Sequence, residues 1–340
     1  MDTLYSYKDI VLQPAYSEIN SRSKLDASIE FLGKVFESAA LPANMKCTID
    51  FKKARELSEA GYFYVLHRFY DYEDIINWMI ENEDMKTISI SVGVNKKDYD
   101  FIDRIVKDDI GVDFITIDVA HGHHILVKDM ITYIKDRLSV KVIAGNIGNF
   151  AAAQDLYEWG ADAVKVGLSM GKSCTTYNCT GVGTPMFSTV KNIAKQKYLK
   201  WVPNDKTDWQ KGDYKNISIP VIADGQIREV GDVCKALVAG ANMIMIGSEF
   251  AKCEDSPADI IGGPALNNEN KKVFFGSASS TNKGHQGYVE GQTVYLDMRN
   301  ETYMQYFDRI NQGIQSCMSY AGVNEITLLT KMEYQIHTNN

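Results

Sequence analysis

Short apolar segments rich in β-branched residues recur every 22 to 27 residues between Tyr62 and Ala163, and helix-like segments separate them. Continuous apolar strands that alternate with helices are typical of a parallel sheet buried on both faces. An earlier segment and two later ones extend the pattern to eight predicted strands. They are Leu41–Met45, Tyr62–Leu66, Ile88–Val92, Phe114–Asp118, Lys141–Gly145, Ala163–Gly167, Ile219–Ala223 and Asn242–Gly247.

Two of the predicted β–α–β units resemble each other. The sequence from Val142 and the segment Gly160–Gly167 return 79 to 80 residues later at Val221 and Gly240–Gly247. A unit duplicated late in the chain favours a closed eight-stranded barrel over a doubly wound open sheet. We therefore predict an α/β fold in which residues 1–340 form a single (β/α)8 TIM barrel domain. A short N-terminal segment, an excursion at Lys197–Asn216 and a late active-site flap over about residues 250–293 complete it.

The composition limits the classes of partner. The 340 residues are 45% hydrophobic and 24% charged, which is typical of a globular protein. A formal net charge of −8 without a basic run argues against nucleic-acid binding, although one local site could still bind a phosphorylated small molecule. No apolar segment approaches the roughly 20 residues that span a membrane. Six cysteines without close pairs indicate reduced thiols. We expect a soluble cytoplasmic enzyme.

The loop after the sixth predicted strand carries the most informative cysteine. Active sites of such barrels lie in the loops that follow the strands. Cys174 lies there among glycine and hydroxyl residues, where Lys172 and backbone N–H groups could lower the thiol pKa and favour a nucleophile. Two alternatives stay open: Cys174 is only a small loop residue, or Cys179 in the same loop is the nucleophile.

Glycines follow the last two predicted strands, in Asp224-Gly225 and Gly247-Ser248. Loops at these two places in a barrel frequently bind phosphate through backbone N–H groups, and glycine permits the close approach. The alternative is that these glycines only form tight turns. We expect a phosphorylated substrate.

Three histidines follow the fourth predicted strand. His121, His123 and His124 could form a zinc site, but no second group of ligands appears elsewhere. We instead expect Asp118 to be a polar active-site group and the histidines to orient the loop or contact a cofactor. Since no Gly-x-Gly-x-x-Gly opens a helix, a dinucleotide would bind without a Rossmann fingerprint.

Motifs in order along nearly the whole chain resemble those of the inosine-monophosphate dehydrogenase and guanosine-monophosphate reductase barrels. They are Tyr7–Leu12, Ser21–Ser23, Pro42–Met45, Ser91–Val94, Ala144–Asn146, Lys165–Gly167, Cys174–Thr176, Thr180–Gly183, Phe275–Ser279 and Glu290–Gly291. Two motifs depart from the family pattern. Its Gly-Pro-Gly appears as Ser169-Met170-Gly171, and its Asp-Gly-Gly appears as Asp224-Gly225-Gln226.

The reductase branch of this family is the better match. The dehydrogenases usually carry regulatory domains between strands two and three, where only Leu66 to Ile88 intervenes here, and an Arg-Tyr pair in a flap that here contains no arginine. The segments 61–69 and 117–123 resemble the reductases common in Gram-positive bacteria. The resemblance implies NADPH-dependent reductive deamination of GMP to IMP. A dehydrogenase without regulatory domains and a non-catalytic purine-nucleotide-binding barrel remain as alternatives.

The resemblance also implies roles for individual residues. The implied catalytic residues are Cys174 as the nucleophile toward purine C2, Thr176 and Glu290 as proton donors to the leaving amine, and Arg68 and Asp118 beside them. The implied substrate contacts are Asn146, Lys172, Asp224, Gly225, Gln226, Gly247, Ser248, Gly276, Ser277 and Gly291. The implied cofactor contacts are Ser21, Arg22, Asp118, Val119, Ala120 and Ser316, partly across the subunits of a homotetramer. A monovalent cation such as K⁺ is implied at Ser169, Gly171 and Cys174.

Overall fold

The computed structural model of the chain describes residues 3–169, 171–205, 208–262, 270–276, 279 and 291–337; within them, residues 198–205 and 208–215 are described by their backbone alone. The strands are β1 Ile10–Leu12, β2 Ile29–Phe31, β3 Lys34–Phe36, β4 Ala40–Pro42, β5 Ser89–Val92, β6 Phe114–Asp118, β7 Lys141–Ile147, β8 Ala163–Val166, β9 Tyr198–Asp205, β10 Asp208–Ile217, β11 Val221–Asp224, β12 Met243–Ile246, β13 Ile260–Ile261, β14 Lys271–Phe275, β15 Thr293–Asp297 and β16 Tyr334–Ile336. The α-helices are α1 Phe51–Glu59, α2 Tyr72–Glu81, α3 Lys96–Lys107, α4 Ile125–Lys135, α5 Phe150–Glu158, α6 Thr176–Thr180, α7 Met186–Ala194, α8 Val230–Ala239, α9 Ser248–Ala251 and α10 Tyr303–Ala321. None of these helices is long and apolar enough to cross a membrane.

The central element is a seven-stranded parallel sheet with the order β4-β12-β11-β8-β7-β6-β5. The strands β4, β5, β8 and β12 are buried at every position, as expected for apolar strands covered on both faces. Helices α4, α5, α7 and α8 pack against it. Because every pairing in this sheet is parallel, the carboxyl ends of all seven strands meet along one edge.

The predicted second strand differs from the structure. Tyr62–Leu66 is buried but forms no strand, so seven of the eight predicted strands lie in the sheet. Leu66 connects it to β5: its N–H donates to the Ser89 carbonyl at 3.0 Å, and its carbonyl accepts from Ser91 Oγ at 2.6 Å. Two residues before Ser89, side-chain hydroxyls form hydrogen bonds with the backbone of Thr87. Its carbonyl accepts from Tyr64 Oη at 2.8 Å and its N–H donates to Ser58 Oγ at 3.0 Å. These bonds replace the backbone ladder that would define an eighth strand.

The excursion predicted at Lys197–Asn216 is an antiparallel hairpin formed by β9 and β10. The late region contains a three-stranded antiparallel sheet in the order β13-β14-β15. Residues 263–269, 277–278 and 280–290 of the predicted flap lie outside the described residues. The described part of the predicted flap contains β13, β14 and the first residue of β15.

A buried lysine connects the late sheet to the rest of the chain. Lys272 is 1% exposed, and its ammonium group donates to the carbonyl oxygens of Glu254 at 3.0 Å and Ser256 at 3.2 Å. Phe274, two residues along β14, packs in a small cluster with Cys47 and Leu296. These contacts fix the strand that leads into Gly276.

His67 gives the fold a pH dependence. It is 2% exposed, and its Nδ1 accepts a hydrogen bond from the Phe69 N–H at 3.1 Å. Burial, together with the Lys46 charge, lowers the pKa of His67 to about 4. The unfolded chain therefore binds one more proton between pH 6.5 and pH 4, and stability falls as the pH drops through that window. We expect His67 to cost about 2–3 kcal/mol of the free energy of unfolding between pH 7.5 and pH 4.5.

The measurement is urea unfolding of the natural chain and His67→Asn at both pH values. Asparagine keeps an acceptor near the position of Nδ1 but does not titrate, so the variant should lose less stability on acidification. An identical loss in the two proteins would contradict the assignment.

Candidate active site

A cavity of about 710 Å³ opens at the edge where the strands of the parallel sheet end. This volume lies within the range of roughly 300–1,000 Å³ that is common for small-molecule sites. Most of the residues predicted from the sequence line it. They are Arg68, Asp118, Val119, Ala120, Asn146, Ser169, Gly171, Lys172, Cys174, Thr176, Asp224, Gly225, Gln226, Gly247, Ser248 and Gly276.

The structure separates the two candidate nucleophiles. Cys174 is partly buried and lines the cavity, whereas Cys179 is exposed on α6 and does not line it. The Sγ atom of Cys174 lies 3.3 Å from Oγ1 of Thr176, the first residue of α6. The Cys174 N–H donates to the Gly171 carbonyl at 3.1 Å, which closes the loop behind the thiol. The geometry favours Cys174 for chemistry inside the cavity.

The late segment of the chain joins the cysteine loop directly. Gly291 pairs with Cys174 in an antiparallel β-bridge, and the Gln292 N–H donates to the Ser173 carbonyl at 2.8 Å. A Cβ atom at Gly276 would lie 3.0 Å from Ser173 Oγ, so glycine allows this close approach. Glu290 and Ser277 lie outside the described residues. Gly291, the sequence neighbour of Glu290, is thus paired with the backbone of Cys174.

A buried network of charges forms the floor of the cavity. Lys165 on β8 has a side chain only 3% exposed, and its Nζ lies 3.0 Å from Asp118 Oδ1 and 2.9 Å from Asp224 Oδ2. Arg68 Nε donates to the Asp118 carbonyl at 3.1 Å and lies 4.0 Å from Asp118 Oδ2. The predicted pair Arg68 and Asp118 is therefore brought together.

The network keeps its members charged. Burial alone would raise the pKa of Asp118, but the positive charges of Lys165 and Arg68 outweigh it and hold that pKa below its usual value. Burial alone would lower the pKa of Lys165, but the carboxylates of Asp118 and Asp224 outweigh it and raise that pKa. Both groups are ionised at neutral pH.

Close backbone packing brings Asn146 into this network. Its Nδ2 donates to the Gly167 carbonyl at 2.8 Å and to Asp224 Oδ2 at 2.9 Å. A Cβ atom at the preceding Gly145 would lie 2.5 Å from the Lys165 carbonyl oxygen. Glycine at this position therefore lets β7 and β8 approach closely enough for the Asn146 amide to reach Asp224.

The loop after β11 is the first of the two predicted phosphate loops. Gly225 has φ +109° and Gln226 has φ +62°, so two consecutive residues take left-handed conformations there. Arg228, three residues after Gly225, also lines the cavity and adds a positive charge. Gly247 and Ser248 follow β12, the strand next to β11, and Ser248 is the first residue of α9. Lys172 also lines the cavity.

Sequence reasoning missed Lys165 and Arg228 as site residues. The signal for Lys165 was a charged residue inside the apolar strand Ala163–Val166, since an unpaired lysine is costly to bury. Arg228 carried no comparable signal, because an arginine in a loop is common on any surface.

Three predicted cofactor residues lie apart from this cavity. Arg22 Nη1 donates to Ser316 Oγ at 3.1 Å, while Ser21 Oγ lies 2.9 Å from Ser23 Oγ. None of Ser21, Arg22 and Ser316 lines the cavity. Their assignment to a cofactor on a neighbouring subunit stays a prediction.

The three histidines after β6 have separate environments. His121 lines the cavity, His123 Nε2 lies 2.7 Å from Asp155 Oδ2, and His124 Nδ1 accepts from the Leu126 N–H at the start of α4. Within the described part of the chain, no group of three or more His, Cys, Asp or Glu side chains is arranged to hold a metal ion.

A family model and several known proteins match nearly the whole chain. The family model described as IMP dehydrogenase / GMP reductase domain matches residues 4–339. A protein named GMP reductase from Bacillus licheniformis is 39% identical, with 100% of this chain and 98% of the relative covered. Another of that name from Delftia acidovorans is 39% identical over 98% of this chain and 96% of the relative, and one from Oceanobacillus iheyensis is 38% identical over 100% and 98%. The chain therefore belongs to the IMP dehydrogenase/GMP reductase family.

Proposed function

We propose that this protein is a GMP reductase that converts GMP to IMP and ammonia with NADPH, through a covalent intermediate on Cys174. The observation that carries the proposal is the position of the Cys174 thiol: it faces the cavity within 3.3 Å of the Thr176 hydroxyl, and the late segment pairs with it at Gly291. Full-length relatives named GMP reductase support the same conclusion. The reaction interconverts purine nucleotides.

Deamination is the first half of the proposed chemistry. The Cys174 thiolate adds to purine C2, and the exocyclic amine takes a proton and leaves as ammonia, so the C2–N bond breaks while the new C2–S bond remains. Covalent catalysis divides one difficult displacement into two easier steps. Thr176 and Glu290 supply the proton, with Glu290 as the group that changes charge.

Reduction is the second half. NADPH, when bound, supplies the hydride that forms the new C2–H bond as the C2–S bond breaks and the thiolate returns. The residues suit such a cofactor because Asp118, Val119 and Ala120 line one side of the cavity, beside the Arg68 guanidinium. We assign Arg68 and Asp118 to orienting the two reactants over this charged surface.

Substrate binding is divided among the loops. We propose that Asp224 and Asn146 contact the sugar and base, and that the backbone of Gly225, Gly247 and Ser248 binds the phosphate with help from Lys172. Gly276, Ser277 and Gly291 complete the site from the late segment. A K⁺ ion is proposed among the backbone carbonyls of Ser169, Gly171 and Cys174; the Gly171 carbonyl already accepts from the Cys174 N–H.

The proposed scaffold is a single (β/α)8 barrel domain that assembles as a homotetramer. Tyr62–Leu66 lies in sequence between β4 and β5, the two ends of the seven-stranded sheet, and its Leu66 N–H already bonds to β5. This segment is proposed to complete the barrel. The pair Arg22 and Ser316 is proposed to reach the cofactor of a neighbouring subunit.

The test follows absorbance of the reduced cofactor at neutral pH. We expect loss of NADPH with GMP, a slower loss with NADH, and no formation of NADH from IMP and NAD⁺. Turnover of IMP with NAD⁺ would instead identify a dehydrogenase without regulatory domains. Nucleotide binding without turnover in either direction would identify a non-catalytic barrel.

Guanosine is expected to be a poor substrate compared with GMP. Without the phosphate, at least two charge-assisted hydrogen bonds of about 1.5–3 kcal/mol each are missing, so kcat/KM should fall by about 10²-fold or more. Steady-state kinetics with the two substrates measure the ratio. Comparable kcat/KM values would remove the phosphate site from the proposal.

Replacement of Gln226 by glycine is expected to raise the stability of the protein and to weaken GMP binding. A non-glycine residue at φ +62° is strained, so Gln226→Gly is expected to raise the free energy of unfolding by about 1 kcal/mol. Loss of the amide should raise KM for GMP by about three- to tenfold. The matched control is Asp109→Gly, since Asp109 has φ +51°, is exposed after α3 and lies outside the cavity lining. It should gain some stability at unchanged KM; an equal rise in KM for both variants would contradict the role of Gln226.

A further inference from the structure

The ammonium group of Lys165 links two carboxylates that come from different strands. Asp118 ends β6 and Asp224 ends β11, while Lys165 lies on β8 with its Nζ within 3.0 Å of an oxygen of each. The side chain is only 3% exposed, so its ammonium group is almost fully removed from solvent although Lys165 lines the cavity. An ordinary apolar residue would suit this strand, whose other positions are all apolar.

The two carboxylates belong to different parts of the proposed site. Asp118 stands with Arg68 on the side assigned to the catalytic pair and the cofactor, and Asp224 stands with Asn146 on the side assigned to the nucleotide. Lys165 and Asn146 both donate to Oδ2 of Asp224.

We propose that Lys165 is a positioning residue that ties Asp118 and Asp224 into one rigid charged unit and so fixes the nucleotide side of the cavity relative to the cofactor side. This role rests on the proposed function and adds to it a residue that need not touch either reactant. Four side chains of the unit are charged: Lys165 and Arg68 are positive, and Asp118 and Asp224 are negative. Asn146 adds a neutral amide. The unit is balanced only while Lys165 is present.

Removal of the ammonium leaves one half-buried carboxylate without its cation. Arg68 remains beside Asp118, so Asp224 is the carboxylate that loses its cationic partner when Lys165 is replaced by methionine. Asp224→Asn removes the unpaired charge as well, and Lys165→Arg keeps the cation.

Thermal melting provides a readout that needs no substrate. Lys165→Met should be destabilised, because the Asp224 carboxylate has lost its cationic partner in a largely buried site. The charge-balanced variant Lys165→Met with Asp224→Asn should melt at a higher temperature than Lys165→Met alone. This comparison also covers the case in which the single variant fails to fold, since the double variant should then recover folding.

Kinetics connect the unit to the reaction. With GMP and NADPH, Lys165→Met is expected to lose about tenfold to a hundredfold in kcat/KM, and Lys165→Arg, which keeps the charge, should lose less. The proposal is wrong if the double variant melts no higher than the single one, or if Lys165→Arg loses as much kcat/KM as Lys165→Met. Absence of GMP turnover by the natural chain would overturn the proposed function but would leave the melting results to decide the role of Lys165.

Discussion

Replacement of Cys174 by alanine is expected to abolish turnover of GMP while the chain still folds and still binds GMP. The thiol lies in a loop at the cavity surface and contributes little packing, so its loss removes chemistry rather than structure. Without a nucleophile there is no covalent intermediate, and kcat should fall by about 10⁴-fold or more. Steady-state absorbance would follow the consumption of NADPH, with equilibrium binding of GMP measured in parallel.

Cys179→Ala is the matched control. It changes the same residue type five positions further along the chain, on α6, but its side chain is exposed and lies outside the cavity. We expect normal kinetics from this variant. An inactive Cys179→Ala together with an active Cys174→Ala would reverse the assignment of the nucleophile.

The parallel sheet could be predicted because its strands are buried on both faces. Such strands appear in the sequence as uninterrupted apolar segments, as in Val142–Ala144 and Met243–Ile246, and the helices between them set their spacing. Tyr62–Leu66 shows the limit of this reasoning. Its burial matches the pattern, but burial does not specify which backbone groups pair, and the hydroxyls of Ser58 and Tyr64 take bonds at Thr87 that a ladder would use.

The cavity residues could be predicted where they follow a strand. The parallel order places every strand end at one edge, so residues as distant in sequence as Asp118 and Ser248 line one cavity. The contacts between them could not be predicted, because they depend on side-chain reach across the sheet. Lys165 bridges two neighbours that are 47 and 59 residues away in sequence, and no local pattern encodes such a bridge.

The left-handed residues illustrate a similar limit. Ser169 and Gln226 occupy positions where the family motifs have glycine, and their φ angles are +65° and +62°. The sequence alone shows only that glycine is missing. The structure shows that both residues line the cavity in a conformation that glycine adopts at lower cost. Retention of side chains at strained positions in a site is consistent with a role in binding.

Glu290→Gln is expected to slow deamination of GMP by about 10²–10⁴-fold, because glutamine keeps the size and hydrogen-bonding capacity of the side chain but cannot cycle a proton. The assignment of Glu290 depends on the family resemblance and on the pairing of Gly291, its neighbour in sequence, with Cys174. Hydride transfer requires only the covalent intermediate and the cofactor. The variant should therefore separate the two halves of the reaction.

A single-turnover experiment in the reverse direction makes the separation measurable. IMP and NADP⁺ form the covalent intermediate and NADPH without any proton transfer to an amine, so Glu290→Gln should retain a burst of NADPH. Added ammonia should then produce GMP in the natural protein but not in the variant. Thr176, within 3.3 Å of the thiol, belongs to the same proton path, and Thr176→Val is expected to show the same pattern. Equal loss in both half-reactions would mean that Glu290 positions the nucleotide or the cofactor, and proton delivery would have to come from another group.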